Sequence, residues 1–355
     1  MYECPRCGYR GGEEVCPKCG SVTTVFLERL TFRAERGERG VWRFSGMLPS
    51  LPTRHSLGEG STPLTSVDSV RVKNERFNPT GSYADRASAL LSSYVLSKGW
   101  RKVASLYEPD FSRSLVRYLE GLEVDVITPD PLSLEAEDIA VLTTRARLVR
   151  SSEAPRADYA SPWSIEGLKT VALEICEQRA RESFIVAPSK SGLLALSLLK
   201  GLRDLERAGA DCPYEVVAAG LKGREPPLLA GLPVRTESIG EEEVYETLAR
   251  LSSRGFRVKP LAAIGYAVAS SLGDSIAVVT VAVRPPLRQG RSAVKRLILS
   301  TLEGGRKTAY EIWKERPAFT LRAVYKAARD MEERSEICYD VVRKGGREVK
   351  LYRLC

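Results

Sequence analysis

Four cysteines open the chain in two knuckles, Cys4-Pro-Arg-Cys7-Gly8 and Cys16-Pro-Lys-Cys19-Gly20, with eight residues between them. Four thiolates at this spacing close a tetrahedral shell around zinc and leave no position for water. The expected site is therefore structural, a folding staple over residues 1–22. The glycine after each pair admits the tight turn that brings amide N–H groups towards the sulfurs. A redox role fits a regularly paired quartet poorly. Residues 1–20 hold three basic and three acidic side chains, so little electrostatic binding of nucleic acid is expected there. The remaining cysteines, Cys176, Cys212, Cys338 and Cys355, are scattered and read as small core or surface residues.

A second group of chemically suggestive residues is basic. Residues 291–355 contain 16 Lys/Arg against 9 Asp/Glu, which is +7 of the net charge of +9. Such a field on a small terminal segment points to an acidic partner, most simply nucleic acid. Val294, Leu297, Ile298 and Leu302 recur at helical spacing, and Thr308-Ala-Tyr-Glu311 forms a capping box for a second helix that ends at Pro317. A third helix carries Leu321, Val324, Ala328 and Met331 on one face and Arg322, Tyr325, Lys326 and Arg329 on another. Strands over 337–342 and 349–354 flank Gly345-Gly346, a tight-turn pair with Arg343, Lys344 and Arg347 beside it. Three helices and a basic hairpin predict a winged helix-turn-helix over 291–355, with the third helix in the major groove and the wing on backbone phosphates. DNA is the expected partner; RNA stays open, and a protein-binding winged helix is the alternative.

Between these ends, over residues 23–285, short apolar runs such as Val124–Ile127, Phe184–Ala187, Glu215–Ala219 and Ile276–Val283 alternate with helical stretches. That alternation predicts an α/β body with parallel sheets covered on both faces. Residues 286–290 read as a linker, because two prolines and a glycine within 284–290 continue neither periodicity.

Three runs in this body, Trp42–Ser45, Ser56-Leu-Gly-Glu-Gly-Ser-Thr-Pro-Leu64 and Lys73-Asn-Glu-Arg-Phe-Asn-Pro-Thr-Gly-Ser-Tyr-Ala-Asp-Arg86, resemble threonine synthases and related fold-type II pyridoxal-phosphate enzymes. Ile165-Glu-Gly-Leu-Lys-Thr170 does too. The resemblance covers about residues 1–285 and implies a two-domain, tryptophan synthase β-like body; archaeal members of the family often carry a zinc ribbon in front. It also implies that position 84, here Ala84, would be the lysine that forms the cofactor imine. A methyl group cannot form one. Where the family has a Gly-Asn turn, this chain has Ser105–Asp110, which brings Glu108 and Asp110 towards a site built for an anion. Where it has a glycine-rich phosphate loop, this chain has Lys190-Ser191-Gly192-Leu193 with one glycine left. The family's closing Thr-Gly-His-Gly-Leu-Lys has no counterpart.

The resemblance with these departures implies a pseudoenzyme whose retained motifs serve packing. No catalytic residue is assigned and bound pyridoxal phosphate is not expected. Lys73 and Lys190 are assigned ion-pair or surface roles, and the single histidine, His55, has no visible nucleophile beside it. The expected function is a DNA-binding transcriptional regulator, its body a dimerisation or ligand-sensing platform, with a small metabolite in the former active-site cleft. A pyridoxal-phosphate-dependent threonine synthase-like lyase with a regulatory tail is the alternative.

Composition bounds the rest. At 355 residues and 43% hydrophobic content the chain is expected to form two or three packed domains. No aliphatic run exceeds eight residues, against the ~20 of a spanning helix, and the charged, cysteine-rich opening does not read as a secretory signal. A cytoplasmic protein is expected. Only four Asn and Gln residues accompany 54 Lys and Arg, a bias that suggests a thermophilic source.

Overall fold

The computed structural model describes residues 1–281, 291–302, 304–315, 317, 319–333 and 336–354. The expected linker 286–290 lies outside the described residues. The chain divides into two units, Met1–Val283 and Arg284–Cys355.

The first unit opens with β1 (Tyr2–Glu3), β2 (Arg10–Gly11) and β3 (Thr24–Val25), an antiparallel sheet in the order β2-β1-β3 that extends past residue 22. Next come β4 (Leu64–Val67), β5 (Val70–Asn74), α1 (Ala84–Ser97), β6 (Lys102–Leu106), α2 (Phe111–Tyr118), β7 (Glu123–Ile127), α3 (Ala136–Arg145) and β8 (Arg147–Val149). The unit continues through α4 (Pro162–Leu168), α5 (Thr170–Glu177), β9 (Phe184–Pro188), α6 (Leu193–Arg207), β10 (Glu215–Leu221), β11 (Arg235–Ile239), α7 (Glu241–Ser253), α8 (Pro260–Leu272) and β12 (Ser275–Val279).

Two sheets organise this body. A larger lobe is built on six strands in the order β11-β10-β9-β12-β5-β4, all parallel except β4. A smaller lobe is built on the parallel sheet β6-β7-β8 with α2 and α3. The apolar runs become strands buried on both faces because side chains alternate across the sheet. Ile185, Ala187, Val216, Ala218, Ile276 and Val278 point to one core, and Val186, Val217, Ala219, Ala277 and Val279 to the other.

The second unit contains α9 (Arg291–Leu302), β13 (Lys307–Thr308), α10 (Ala309–Glu315), α11 (Leu321–Glu333), β14 (Cys338–Lys344) and β15 (Arg347–Arg353), its three strands antiparallel in the order β13-β15-β14. Its own core gathers Val294, Ile298, Leu302, Ile312, Val324, Ala328, Met331 and Tyr352. The capping box is present in both directions: the Glu311 carboxylate accepts from the Thr308 N–H at 2.8 Å, and the Thr308 hydroxyl accepts from the Glu311 N–H at 3.2 Å. Lys344 pairs with Arg347 across Gly345-Gly346, whose φ angles of 62° and 78° suit a two-residue hairpin turn.

One expectation fails on the cysteines. Cys176, near the end of α5, is joined to Cys212, between α6 and β10, in a disulfide spanning 36 residues, and Cys338 is also disulfide-bonded. Neighbours created by folding a helix pair carry no signal in cysteine spacing. No helix among the described residues is long and apolar enough to cross a membrane.

Candidate functional site

The retained motifs build a buried ionic network. Lys73 of β5, Glu75 just beyond it, Arg86 of α1 and Glu174 of α5 are all fully buried. The Arg86 guanidinium donates to both oxygens of Glu75, at 2.7 and 2.8 Å, and to both of Glu174, at 3.0 and 2.8 Å. Lys73 donates to Glu174 at 2.8 Å and to the Thr62 carbonyl at 2.7 Å. The Asn78 amide donates to Glu75, and its oxygen accepts the Gly60 N–H. Two cations thus offset two anions, and further hydrogen bonds satisfy the remaining atoms, as a buried cluster requires. Burial pushes the Lys73 pKa down, while Arg86 and Lys73 hold the Glu174 carboxyl well below the usual range against its own burial. Of the ion-pair or surface roles expected for Lys73, it takes the first, sealed inside the protein.

Two neighbouring motifs are used the same way. Glu59, in the Ser56–Leu64 run, accepts from the Val41 and Leu57 N–H groups, the Ser56 hydroxyl and the Tyr118 hydroxyl. In the Ile165–Thr170 run, a Cβ on Gly167 would lie 2.0 Å from the Arg86 carbonyl oxygen, so only glycine lets α4 approach α1 this closely. His55 is half-buried, edge-on to Tyr118; burial lowers its pKa, and its Nε2 has no hydrogen-bond partner among the described residues.

A cleft of about 260 Å³ lies between the two lobes of the body. It brings together Glu108, Asp110, Lys190, Ser191 and Gly192. Ala84 is fully buried at the first turn of α1 and does not line the cleft; Tyr83 does. The Tyr83 hydroxyl is 2.6 Å from that of Tyr159, another lining residue. At the N-terminus of α6, Gly192 has φ +93°, and a Cβ there would meet Leu229 Cγ at 2.6 Å, so an apolar side chain packs against this turn. Asp110 occupies the N-cap position of α2 at φ +64°, without a side-chain capping bond, and pairs with Arg113 at 2.8 Å and with Lys259 at 2.9 Å. Burial pushes the Glu108 carboxyl pKa up against the pull of Lys190, which is exposed. The sequence gives no hint of Lys259, Glu135, Tyr159 or Thr280, which come from distant segments and carry no motif.

At the N-terminus, the sulfurs of Cys4, Cys7, Cys16 and Cys19 all lie within 4.8 Å of one another and could hold a metal ion such as zinc. Sulfur–sulfur separations of 3.4, 3.6 and 3.8 Å lie close to the roughly 3.8 Å between ligands in a tetrahedron with ~2.3 Å zinc–sulfur bonds. Each knuckle closes with a glycine at φ +69°: Gly8 donates to the Cys4 carbonyl and Gly20 to that of Cys16. The ribbon is seated by Tyr2, edge-on to Trp163 of α4, whose indole N–H donates to Glu14.

In the second unit, Arg322, Tyr325, Lys326 and Arg329 are exposed on α11, while Val324, Ala327, Ala328 and Met331 are buried on its other face. Together with Lys344 they line a groove of about 900 Å³ between the helices and the hairpin. Arg343 and Arg347 lie near the hairpin tip and do not line it. Arg322, Lys326, Arg329, Arg343 and Arg347 have no ion-pair partner among the described residues. Lys344, by contrast, pairs with Glu311 at 2.7 Å, and Lys350 with Glu332 at 2.5 Å.

No family model matches the chain. By sequence it is similar to the threonine synthase of Methanosarcina acetivorans, 25% identical over 292 residues that cover 70% of this chain and 72% of the relative. It is likewise similar to that of Methanocaldococcus jannaschii, 27% identical over an alignment of 252 positions that covers 59% of this chain and 62% of the relative. Among solved structures it resembles maize serine racemase with a TM-score of 0.52 at 14% identity, covering 67% of this chain and 93% of the other. The serine racemase of Dictyostelium discoideum gives a TM-score of 0.53 at 12% identity, covering 64% and 94%. The α/β body thus resembles the fold-type II pyridoxal-phosphate enzymes, and its sequence relatives are threonine synthases.

Proposed function

We propose that this chain is a non-catalytic threonine synthase-like protein that regulates transcription by binding DNA through a C-terminal winged helix. The observation that carries the DNA reading is the exposed face of α11, where Arg322, Lys326 and Arg329 stand beside Tyr325 without ion-pair partners among the described residues. Uncompensated cations along a helix favour a polyanion, and the element order α9-β13-α10-α11-β14-β15 is that of a winged helix. The thiol quartet serves as a structural zinc site, and the cleft serves as a metabolite sensor. Two copies of the body would pair to present two tails, in the cytoplasm.

The cleft does not fit pyridoxal phosphate. Position 84 offers no amine, Leu229 packs against the remaining loop glycine, and Glu108 and Asp110 would face the phosphate. Two lysines line the cleft, Lys190 and Lys259; Lys259 is tied to Asp110 and Glu135, which raise its pKa against the effect of burial and keep it protonated. The second reading, a threonine synthase-like lyase with a regulatory tail, draws on the names of the sequence relatives alone.

One experiment separates these readings and the protein- or RNA-binding ones. Full-length protein is titrated with duplex DNA, RNA and no nucleic acid at two salt concentrations, and with pyridoxal phosphate followed by borohydride. Salt-sensitive DNA binding without a fixed adduct supports the regulator. A fixed adduct on one lysine, or threonine formation, would establish the enzyme instead.

A further inference from the structure

The interlobe cleft carries more negative charge than its neighbours neutralise. Glu108 and Asp110 lead into α2, while Glu135, Glu137 and Asp138 come from the start of α3. Arg113 pairs with Asp110 at 2.8 Å and Asp138 at 2.7 Å, with Glu137 at 3.6 Å. Lys259, at the foot of α8 in the larger lobe, reaches across to Asp110 and Glu135. Lys190 attracts Glu108 but makes no ion pair with it among the described residues. Around the cleft, five carboxylates, of which Glu108, Asp110 and Glu135 line it, therefore share three cations among the described residues.

The deficit falls on one spot. The Glu108 carboxylate has no hydrogen-bond partner among the described residues, and Asp110 spends a single oxygen, Oδ1, on both of its cations. Thr280 supplies an independent sign. It is only 3% exposed, it lines the same cavity, and its hydroxyl has no hydrogen-bond partner among the described residues. The residue is nearly buried while its unpartnered hydroxyl opens on the cavity, which marks a place for a ligand atom. The cavity of about 260 Å³ has space for a molecule of several heavy atoms, at ~30 Å³ for each water it would replace.

We infer that the cleft binds a small aliphatic amine without an anionic group, its ammonium set between Glu108 and the second oxygen of Asp110, with the Thr280 hydroxyl as a further partner. The inference rests on the sensing role proposed above and names the ligand class for it. Lys259 demonstrates the chemistry, since its own ammonium is already held by Asp110 and Glu135 at the adjoining end of the cleft. A phosphate or carboxylate would instead add to the unneutralised charge in a poorly solvated space.

Calorimetric titration of the full-length protein with butane-1,4-diamine, and separately with inorganic phosphate, tests this near neutral pH. Binding of the diamine at one per chain and none of phosphate is expected. Glu108→Gln should weaken the diamine about tenfold, the size of one charge-assisted hydrogen bond, and Thr280→Val a few-fold. Lys259→Met should tighten it by releasing Asp110 and Glu135. Melting curves confirm that each variant is folded, and Thr280→Val, which removes no charge, serves if Glu108→Gln is not. The idea is overturned if the diamine does not bind, or if it binds equally well to the folded variants. DNA titrations run in parallel keep the two readings apart. Diamine uptake without any DNA binding sinks the regulator and leaves the amine site, and DNA binding without diamine uptake does the reverse.

Discussion

Arg86 illustrates how a sequence motif serves the packing of the body. Its guanidinium ties β5, the loop around Thr62 and α5 together through Glu75 and Glu174, all of them fully buried. Removing one partner of such a cluster strands the other charge, so Arg86→Met is expected to cost ~3–5 kcal/mol in chemical denaturation. A loss under about 1 kcal/mol would mean that the network contributes little. Asp85, one residue earlier, has a distinct pH signature. Burial pushes its carboxyl up to about 6 from 3.8, although Ser114 and Thr80 donate to it. The native state therefore binds this proton more tightly than the unfolded chain. Its contribution is fully present below 3.8 and is lost as pH rises through about 6, a fall of up to ~3 kcal/mol. Denaturation midpoints across that window should show this decline, and Asp85→Asn should remove that component of the slope.

At the level of elements, each segment holds a separate test. The two knuckles should carry one zinc per chain; Cys4→Ser should reduce metal content below half an equivalent and lower the melting temperature, with DNA affinity unchanged. The Cys176–Cys212 bridge closes a 36-residue loop between α5 and β10, so reduction should cost about 4 kcal/mol on chain-entropy grounds. Denaturation with and without reductant reads this directly. In α11 and the hairpin the two modes of nucleic-acid contact separate. Arg322→Ala should cost ~1–3 kcal/mol mainly on the preferred site, whereas replacing Arg343 or Arg347 should weaken all sequences and reduce the salt slope by roughly one unit each. Lys344→Ala should do less, because Glu311 already holds that ammonium. If Arg322→Ala and the combined replacement of Arg343, Lys344 and Arg347 by alanine leave affinity and salt dependence untouched, a protein-binding role replaces the DNA-binding one.

For the whole molecule, two units with separate cores predict two unfolding transitions by calorimetry. The smaller should shift upward when DNA is added, by mass action, while the larger stays in place. A single cooperative transition would show that the units unfold together. In the larger unit, by contrast, the ribbon, both lobes and the cleft should melt as one body, since Tyr2, Tyr94 and Trp163 join the head to α1 and α4.

Much of this was legible in the linear sequence because it depends on local chemistry. Cysteine spacing placed the four thiols, the Thr308–Glu311 capping box and the Gly345-Gly346 turn marked element boundaries, and apolar runs marked strands buried on both faces. Family resemblance singled out Ala84, Glu108, Asp110 and Gly192. Tertiary structure alone decided what those residues face. It put Ala84 in the core and Tyr83 at the cleft, packed Leu229 against Gly192, joined Cys176 to Cys212, and set Lys259 against Asp110 from the opposite lobe. The pairs it created, Lys259 with Asp110 and Glu174 with Lys73, are separated by a hundred residues or more. Local propensity and spacing act over a few residues; where charges meet, and which of them go unneutralised, depends on how sheets and helices pack.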